Sequence, residues 1–201
     1  MTDTISPDVI GYIFDYAPLI GNVPADIPGR PVVYGTLVGY QRDWDVAYSN
    51  QHKDFDHAYW VDPESDERLF CVIAGLGIAP QEGILCNGLA IPVTQKTLAE
   101  YDWSQDHCYT RSGDMGSDFT WEAEGSRHNL DLPVWVYLPK PEALAHFEEE
   151  LEYKRVYLPG QYRDKVLGNI KALDPINGLE TFEASTLEAT CPTRELNLKE
   201  S

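Results

Sequence analysis

The order of segments along the chain predicts an α+β protein or a mixed β-barrel, and it argues against a doubly wound parallel sheet. Segments rich in Tyr, Val, Thr and Trp dominate the first part of the chain, whereas helix-like segments cluster towards its end. Hydrophobic residues make up 43% of the 201 residues, which is enough apolar material for a proper core. We therefore expect strands to form first and helices to pack on them.

Four strand-like segments open the chain. The first is Gly11–Tyr16, and the second is a long β-prone run from Val32 to Trp44 that continues extended to Asn50. The third covers Arg68–Ala79 with glycine breaks, and the fourth covers Gly83–Val93. These segments predict the main sheet.

Helices become frequent after this point. Thr94 is predicted to cap a helix that runs to Glu100, because a threonine hydroxyl accepts the free N–H groups of a first turn. Two further strands are predicted over 109–114 and 132–138. The remaining helices are predicted over 141–153, which is acidic and amphipathic, and over 162–172 and 179–185.

The length fits a single domain over residues 1–201. The net charge of −18, from 15 Lys plus Arg against 33 Asp plus Glu, offers no basic patch for a phosphate backbone. We therefore expect neither nucleic acid nor an anionic membrane as a partner. The N-terminus lacks the charge and apolar core of a signal peptide, so the expected location is the cytoplasm. The oligomeric state is not predicted.

Phosphate-binding and nucleophile motifs are missing from the sequence, so no organic cofactor is expected. The densest polar cluster, His52–His57, contains two imidazoles and two carboxylates, but its Lys53 opposes a cation and no metal site is predicted there. Cys71 and Cys86 lie in apolar runs and are expected in the core. Cys108 and Cys191 lie in more polar surroundings and are candidates for exposed thiols.

Five blocks, in order, resemble bacterial γ-glutamylcyclotransferase-like proteins. Gly39–Asn50 resembles their GYRRxWNVAMxN block, and Gly83–Val93 resembles their NGVLFPV strand. The others are Tyr109 with Arg111, similar to the end of LDxRExxYxR; Pro133–Tyr137, similar to VWxY; and Glu183–Thr186 with Cys191–Leu196, similar to AST…CPxRxL. The resemblance covers the chain from about Gly11 onward and implies a domain core at about 11–196.

The resemblance implies a small mixed β-barrel with flanking helices and a cavity at one end. It also implies a reaction. The α-amine of a γ-glutamyl compound attacks its own γ-amide carbonyl, which releases an amine and closes 5-oxoproline. A Glu in LDxRE serves as general base, and a YGSL loop donates backbone N–H groups to the substrate.

Both parts of this machinery are altered here. The loop reads Tyr16-Ala17-Pro18-Leu19, in which Pro18 has no N–H to donate. Counting forward from Tyr101-Asp102 places the base position at Gln105, an amide that takes no proton, whereas counting back from Tyr109 places it at Asp106. Asp106 is the predicted base, and Gln105 and Glu100 are the alternatives.

The predicted substrate-binding residues are Tyr16, Ala17, Pro18, Leu19, Tyr109 and Tyr162. A second match to the loop motif, Tyr34–Leu37, runs directly into the next strand block and is set aside. Two functions follow. One is a cyclotransferase acting on a γ-glutamyl or related acyl-amine substrate. The other is a catalytically impaired relative that binds a small molecule or another protein.

Overall fold

The computed structural model describes residues 9–17, 32–51, 58–123, 126–128 and 130–200. In chain order, the strands are β1 (Val9–Asp15), β2 (Val33–Ser49), β3 (Ala58–Val61), β4 (Val72–Thr94), β5 (Tyr109–Arg111), β6 (Phe119–Ala123), β7 (Ser126–His128), β8 (Val134–Trp135), β9 (Tyr137–Pro139), β10 (Val156–Pro159), β11 (Thr193–Arg194) and β12 (Asn197–Glu200). The helices are α1 (Gln95–Gln105), α2 (Pro141–Glu152), α3 (Gly160–Leu173) and α4 (Gly178–Ala184).

The main sheet is mixed and curls into half of a barrel. Its strand order is β11-β10-β4-β2-β6-β7, and β1 joins it by pairing with β4 and β8. The pairs of β4 with β2 and with β1 are antiparallel, whereas β10 pairs parallel with β4 and with β11. The predicted α+β fold, with helices flanking a mixed sheet, is confirmed.

The long strand β4 replaces two predicted strands. Register with β2 is continuous from Ser49↔Val72 to Val33↔Ala90, apart from two irregularities. One of these lies where Gly83 takes a φ of +82°, a left-handed conformation that glycine adopts without a steric penalty. The break expected between Ala79 and Gly83 is therefore a bulge within one strand, because β2 pairs on both sides of it.

Two faces of the sheet are covered by apolar side chains from the helices. Phe147 of α2, Val166 and Ile170 of α3 and Phe182 of α4 are buried in the larger core cluster, with apolar residues of β1, β2 and β4. The i, i+4 spacing of Val166 and Ile170 places both on one helix face. A second cluster packs Leu98 of α1 with residues of β1, β2 and β4.

All four cysteines are buried, so the expectation of exposed thiols at Cys108 and Cys191 is wrong. The Cys108 thiol donates to the Ala47 carbonyl oxygen at 3.3 Å, and Cys191 is packed in the larger core cluster. Burial raises the pKa of the Cys108 thiol to about 11, which keeps it protonated and unreactive at neutral pH. Tertiary packing overrides the polar sequence neighbours of both residues.

No helix within the described ranges has the length and apolar character needed to cross a bilayer.

Candidate functional site

A cavity of about 660 Å³ opens at the carboxyl end of β1, between α1 and the strands that meet there. Its volume lies in the usual range for a small-molecule site. The lining side chains come from seven elements and the turn after β1: Ile13, Phe14, Asp15, Tyr16, Ala17, Tyr48, Leu76, Ile91, Thr97, Glu100, Tyr101, Ser104, Gln105, Tyr109, Tyr137 and Tyr162. Tyr16, Ala17, Tyr109 and Tyr162 were predicted to bind substrate, and the structure brings them together. Pro18 and Leu19 lie outside the described residues.

Tyr16 directly follows β1, and hydrogen bonds fix both its backbone and its side chain. Its hydroxyl donates to the Tyr137 carbonyl oxygen at 2.9 Å, and its own carbonyl oxygen accepts from Arg42 Nε at 2.6 Å. Both contacts are buried. The start of the turn after β1 therefore has a defined position at the cavity wall.

The Arg42 guanidinium that holds Tyr16 is fully buried. It also donates to Ser185 Oγ at 2.6 Å, to Asn87 Oδ1 at 3.1 Å and to the Asn87 carbonyl oxygen. Its carbon Cζ lies 4.6 Å from the centre of the Phe182 ring. Burial lowers the pKa of Arg42, but these oxygens compensate for the lost water. Arg42 thus ties the turn after β1 to β4 and to the end of α4.

The Ala17 N–H points back at its own turn. It donates to Asp15 Oδ1 at 3.0 Å, in a local side-chain turn. In the reaction that the resemblance implies, N–H groups of this loop stabilise a developing oxyanion. Here the N–H at Ala17 is occupied by a carboxylate, and Pro18 supplies none.

Tyrosines form the deeper wall of the cavity. Tyr48 Oη donates to Tyr109 Oη at 2.9 Å, and Tyr109 Oη donates to the Leu76 carbonyl oxygen at 2.8 Å. A Cβ on Gly75 would lie 2.2 Å from the Tyr48 ring, so the ring packs directly on the glycine backbone. Burial raises the pKa of Tyr48, Tyr109 and Tyr162, and all three phenols stay neutral at physiological pH.

Helix α1 supplies the polar side of the cavity. Thr94 is its N-cap, as predicted: Thr94 Oγ1 accepts the Thr97 N–H at 3.2 Å and Thr97 Oγ1 accepts the Thr94 N–H at 2.9 Å. The helix extends five residues beyond the predicted end at Glu100. Residues three and four apart share one helix face, and this face places Thr97, Glu100, Tyr101, Ser104 and Gln105 at the cavity.

The three candidate bases have different environments along α1 and at its end. Gln105 and Glu100 line the cavity, and Glu100 lies towards solvent, with 63% of its side chain exposed and Lys96 Nζ 3.8 Å from its Oε1. Asp106 is the C-cap residue and its side chain is 82% exposed. It pairs with Lys140 Nζ at 3.0 Å, outside the cavity.

A smaller groove of about 360 Å³ adjoins the cavity and contains Asp106. The groove shares Tyr109 and Tyr137 with the cavity. Asp102 accepts from Arg111 Nε at 2.9 Å and from Tyr137 Oη at 2.8 Å. The acids of the groove are thus matched by cations.

Comparison with known proteins yields distant structural likenesses. No family model matches the sequence, and no curated protein matches it significantly. A solved structure described as a gamma-glutamyl cyclotransferase matches with 12% identity over 92% of this chain and 94% of its own, at a TM-score of 0.46. An uncharacterized protein from Homo sapiens gives the same values. A protein from Arabidopsis thaliana matches with 17% identity over 87% of this chain and 97% of its own, at a TM-score of 0.37.

Matches at these identities and TM-scores assign no function to this chain. Within the described part of the chain, no group of three His, Cys, Asp or Glu side chains is placed to hold a metal ion. The His52–His57 cluster lies outside the described residues.

Sequence reasoning missed Asp15, Tyr48, Tyr101 and Tyr137. Asp15 carried a usable signal, because a carboxylate at the end of the otherwise apolar run Val9–Phe14 is unusual for a buried strand. The three tyrosines carried none, since aromatic residues in strands and helices are more often packing residues. Their convergence depends on the pairing of distant segments.

Proposed function

We propose that this protein is a small-molecule-binding module of the γ-glutamylcyclotransferase type, which holds a γ-glutamyl or related acyl-amine compound without cyclising it. One observation carries the proposal: of the two residues to which counting assigns the base, α1 turns Gln105 into the cavity, whereas Asp106 lies in the groove. An amide binds polar groups but accepts no proton from an amine. On this proposal the cavity keeps polar groups that bind a ligand, and residue 105 no longer accepts a proton.

The turn after β1 supports the same proposal. Cyclisation builds negative charge on the carbonyl oxygen, and N–H donors must meet it. With the Ala17 N–H bonded to the Asp15 carboxylate, an oxyanion at this turn would face a negative charge instead of a donor. Losing one such donor typically lowers kcat by roughly 10²–10³.

The test combines binding and turnover on one panel of γ-glutamyl compounds. Calorimetry is expected to give saturable binding to the wild type, while chromatography detects no 5-oxoproline. Gln105→Ala should weaken binding by about fivefold, the value of one hydrogen bond. Asp106→Asn, one residue away and outside the cavity, is the matched control and should bind normally. Release of 5-oxoproline by the wild type would overturn the proposal.

The second candidate function is an active cyclotransferase. Such an enzyme needs a carboxylate base near the turn after β1. Glu100 favours it, because this carboxylate lines the cavity on the same face of α1 as Gln105. Asp106, the base predicted from the sequence, is the competing assignment. If the wild type turns over, loss of activity in Glu100→Gln with activity kept in Asp106→Asn assigns the base to Glu100, and the reverse pattern assigns it to Asp106.

A further inference from the structure

A second cavity, of about 400 Å³, is lined by α3, α4 and the segment 186–193 that follows α4, with β2 and β10 behind them. It shares none of its described lining residues with the cavity at the carboxyl end of β1. Trp44 lines the second cavity, and its ring packs edge-on against Tyr162, which lines the first, with the ring centres 5.7 Å apart. The two cavities are therefore separate sites on opposite sides of one aromatic contact.

The inner wall of the second cavity is apolar. Trp44, Leu158 and Phe182 contribute buried side chains to it, and Leu167 of α3 adds a half-buried one. The Phe182 ring packs against the Arg42 guanidinium, whose Cζ lies 4.6 Å from the ring centre. Because two of these four side chains are aromatic, the wall suits a flat apolar group that packs against ring edges and faces.

The outer residues of the second cavity carry charges of both signs. Arg163 of α3, Glu183 of α4 and Glu188 line it and are exposed. Within the ranges that the structure describes, none of the three forms an ion pair. One cation and two carboxylates are therefore free to meet the charges of a ligand, above an apolar wall.

We propose that the second cavity binds an α-amino acid with an aromatic side chain. The carboxylate of the amino acid pairs with Arg163, its ammonium group pairs with Glu183 and Glu188, and its ring packs on the apolar wall. A ligand with a carboxylate alone faces two like charges, and a ligand with an ammonium group alone leaves Arg163 unpaired. The cavity volume lies in the usual range for a small-molecule site. This inference goes beyond the proposed function and does not depend on it.

A matched series of three compounds tests the inference. L-phenylalanine carries both charged groups, L-phenylalaninamide lacks the carboxylate, and 3-phenylpropanoate lacks the ammonium group. Calorimetry at low salt is expected to give a Kd about tenfold lower for phenylalanine than for either of the other two, as for the loss of one charge-assisted hydrogen bond. At 0.5 M salt this preference should shrink, because salt screens exposed charges.

Variants of exposed residues locate the ligand. Arg163→Met should weaken phenylalanine binding about tenfold and leave phenylalaninamide binding unchanged, since the amide has no carboxylate to lose. Lys165→Met, which removes another exposed cation of α3 that does not line the cavity, is the matched control. Glu183→Gln combined with Glu188→Gln should weaken phenylalanine binding and strengthen 3-phenylpropanoate binding. Glu180→Gln on α4, also outside the cavity, is the control for this pair.

Each other outcome contradicts the inference. Binding of none of the three compounds, or equal binding of all three, overturns it. Tightest binding of phenylalaninamide or of 3-phenylpropanoate shows a ligand of one charge and overturns the amino-acid assignment. Phenylalanine binding that survives Arg163→Met unchanged and is lost in Gln105→Ala places the ligand in the first cavity and overturns the second site. The γ-glutamyl panel tests the proposed function separately, so failure of either leaves the other standing.

Discussion

The cavity and the adjoining groove share two tyrosine side chains but treat their acids differently. In the groove, Asp102 meets Arg111 and Asp106 meets Lys140, both at hydrogen-bonding distance. In the cavity, Asp15 is fixed by the Ala17 N–H, and no described lining residue is a cation. A carboxylate that is paired with a cation of the protein stabilises the fold. The Ala17 N–H that contacts Asp15 carries no net charge, so this contact does not neutralise the carboxylate as the cations of the groove do.

The largest expected effect comes from Arg42, the buried cation beneath the cavity. Arg42→Met would leave the carbonyl oxygens of Tyr16 and Asn87 without their donors, and unpaired buried groups are costly, so we expect a loss of about 2–4 kcal/mol in the free energy of unfolding. Denaturant melts measure it. Arg111→Met in the groove is the control, with an expected loss below about 1 kcal/mol, since its ion pair is partly exposed. Equal losses would contradict the contrast.

The second effect concerns the tyrosine wall. Gly75→Ala places a methyl group where the Tyr48 ring lies, and overpacking of this kind costs about 1–3 kcal/mol. The ring must move, which breaks its hydrogen bond to Tyr109. Ligand affinity should fall along with stability. A matched change at Gly168, where a Cβ meets nothing within 4 Å, should be neutral or stabilising. Unchanged affinity in Gly75→Ala would mean that Tyr48 does not shape the site.

The third effect concerns a half-buried acid elsewhere, Asp45 of β2, whose Oδ1 is buried and has no hydrogen-bond partner. Burial, with a contribution from Asp43, raises the pKa of Asp45 to about 6. Between about pH 4 and 6, Asp45 is therefore protonated in the folded state and ionised in the unfolded state. The contribution of this group to stability falls as pH rises through that range. Asp45→Asn should raise stability by on the order of 1–2 kcal/mol at pH 7.5.

The control for this prediction is the pH dependence itself. At pH 3.5 Asp45 is neutral in the folded state and mostly neutral in the unfolded state, so the difference in stability between the wild type and Asp45→Asn should be much smaller there than at pH 7.5. A constant difference between pH 3.5 and 7.5 would show that ionisation of Asp45 is not the cause.

The smallest expected effect is a difference in ligand affinity between variants of two adjacent residues, Gln105 and Asp106, at the end of α1. Gln105→Ala should weaken ligand binding about fivefold, and Asp106→Asn should leave it unchanged. The two variants should melt within about 0.5 kcal/mol of the wild type, because both sites are at the surface end of the helix. A loss of affinity in Asp106→Asn alone would reverse the assignment of the two faces.

Much of the fold was predictable because local chemistry is written in neighbouring residues. Thr94 and Thr97 form a capping box without help from the rest of the chain, and Pro141 begins α2 where its missing N–H costs nothing. Six short strands, β3, β6, β7, β10, β11 and β12, were not predicted, since so few residues carry too little pattern. The strand β10 is an example. It exists because it lies between β4 and β11 in parallel register.

The site was only partly predictable. Two anchors, Tyr101-Asp102 and Tyr109, placed the base at different residues, and counting cannot choose between Gln105 and Asp106. The choice depends on where α1 ends, since each helical residue turns the side chain by about 100°. Because α1 continues through Gln105, this residue lies on the same helix face as Tyr101, at the cavity, whereas the next residue, Asp106, lies in the groove.

The sequence by itself determined the strands β1 and β2, the four helices, the capped start of α1 and the candidates at the ends of β1 and α1, because these depend on residues a few positions apart. Only the tertiary structure decided that tyrosines from β2, β5, β9, α1 and α3 share one cavity with Asp15. Distant segments meet through strand register and core packing. No short sequence pattern predicts which charged residues line the cavity that they form.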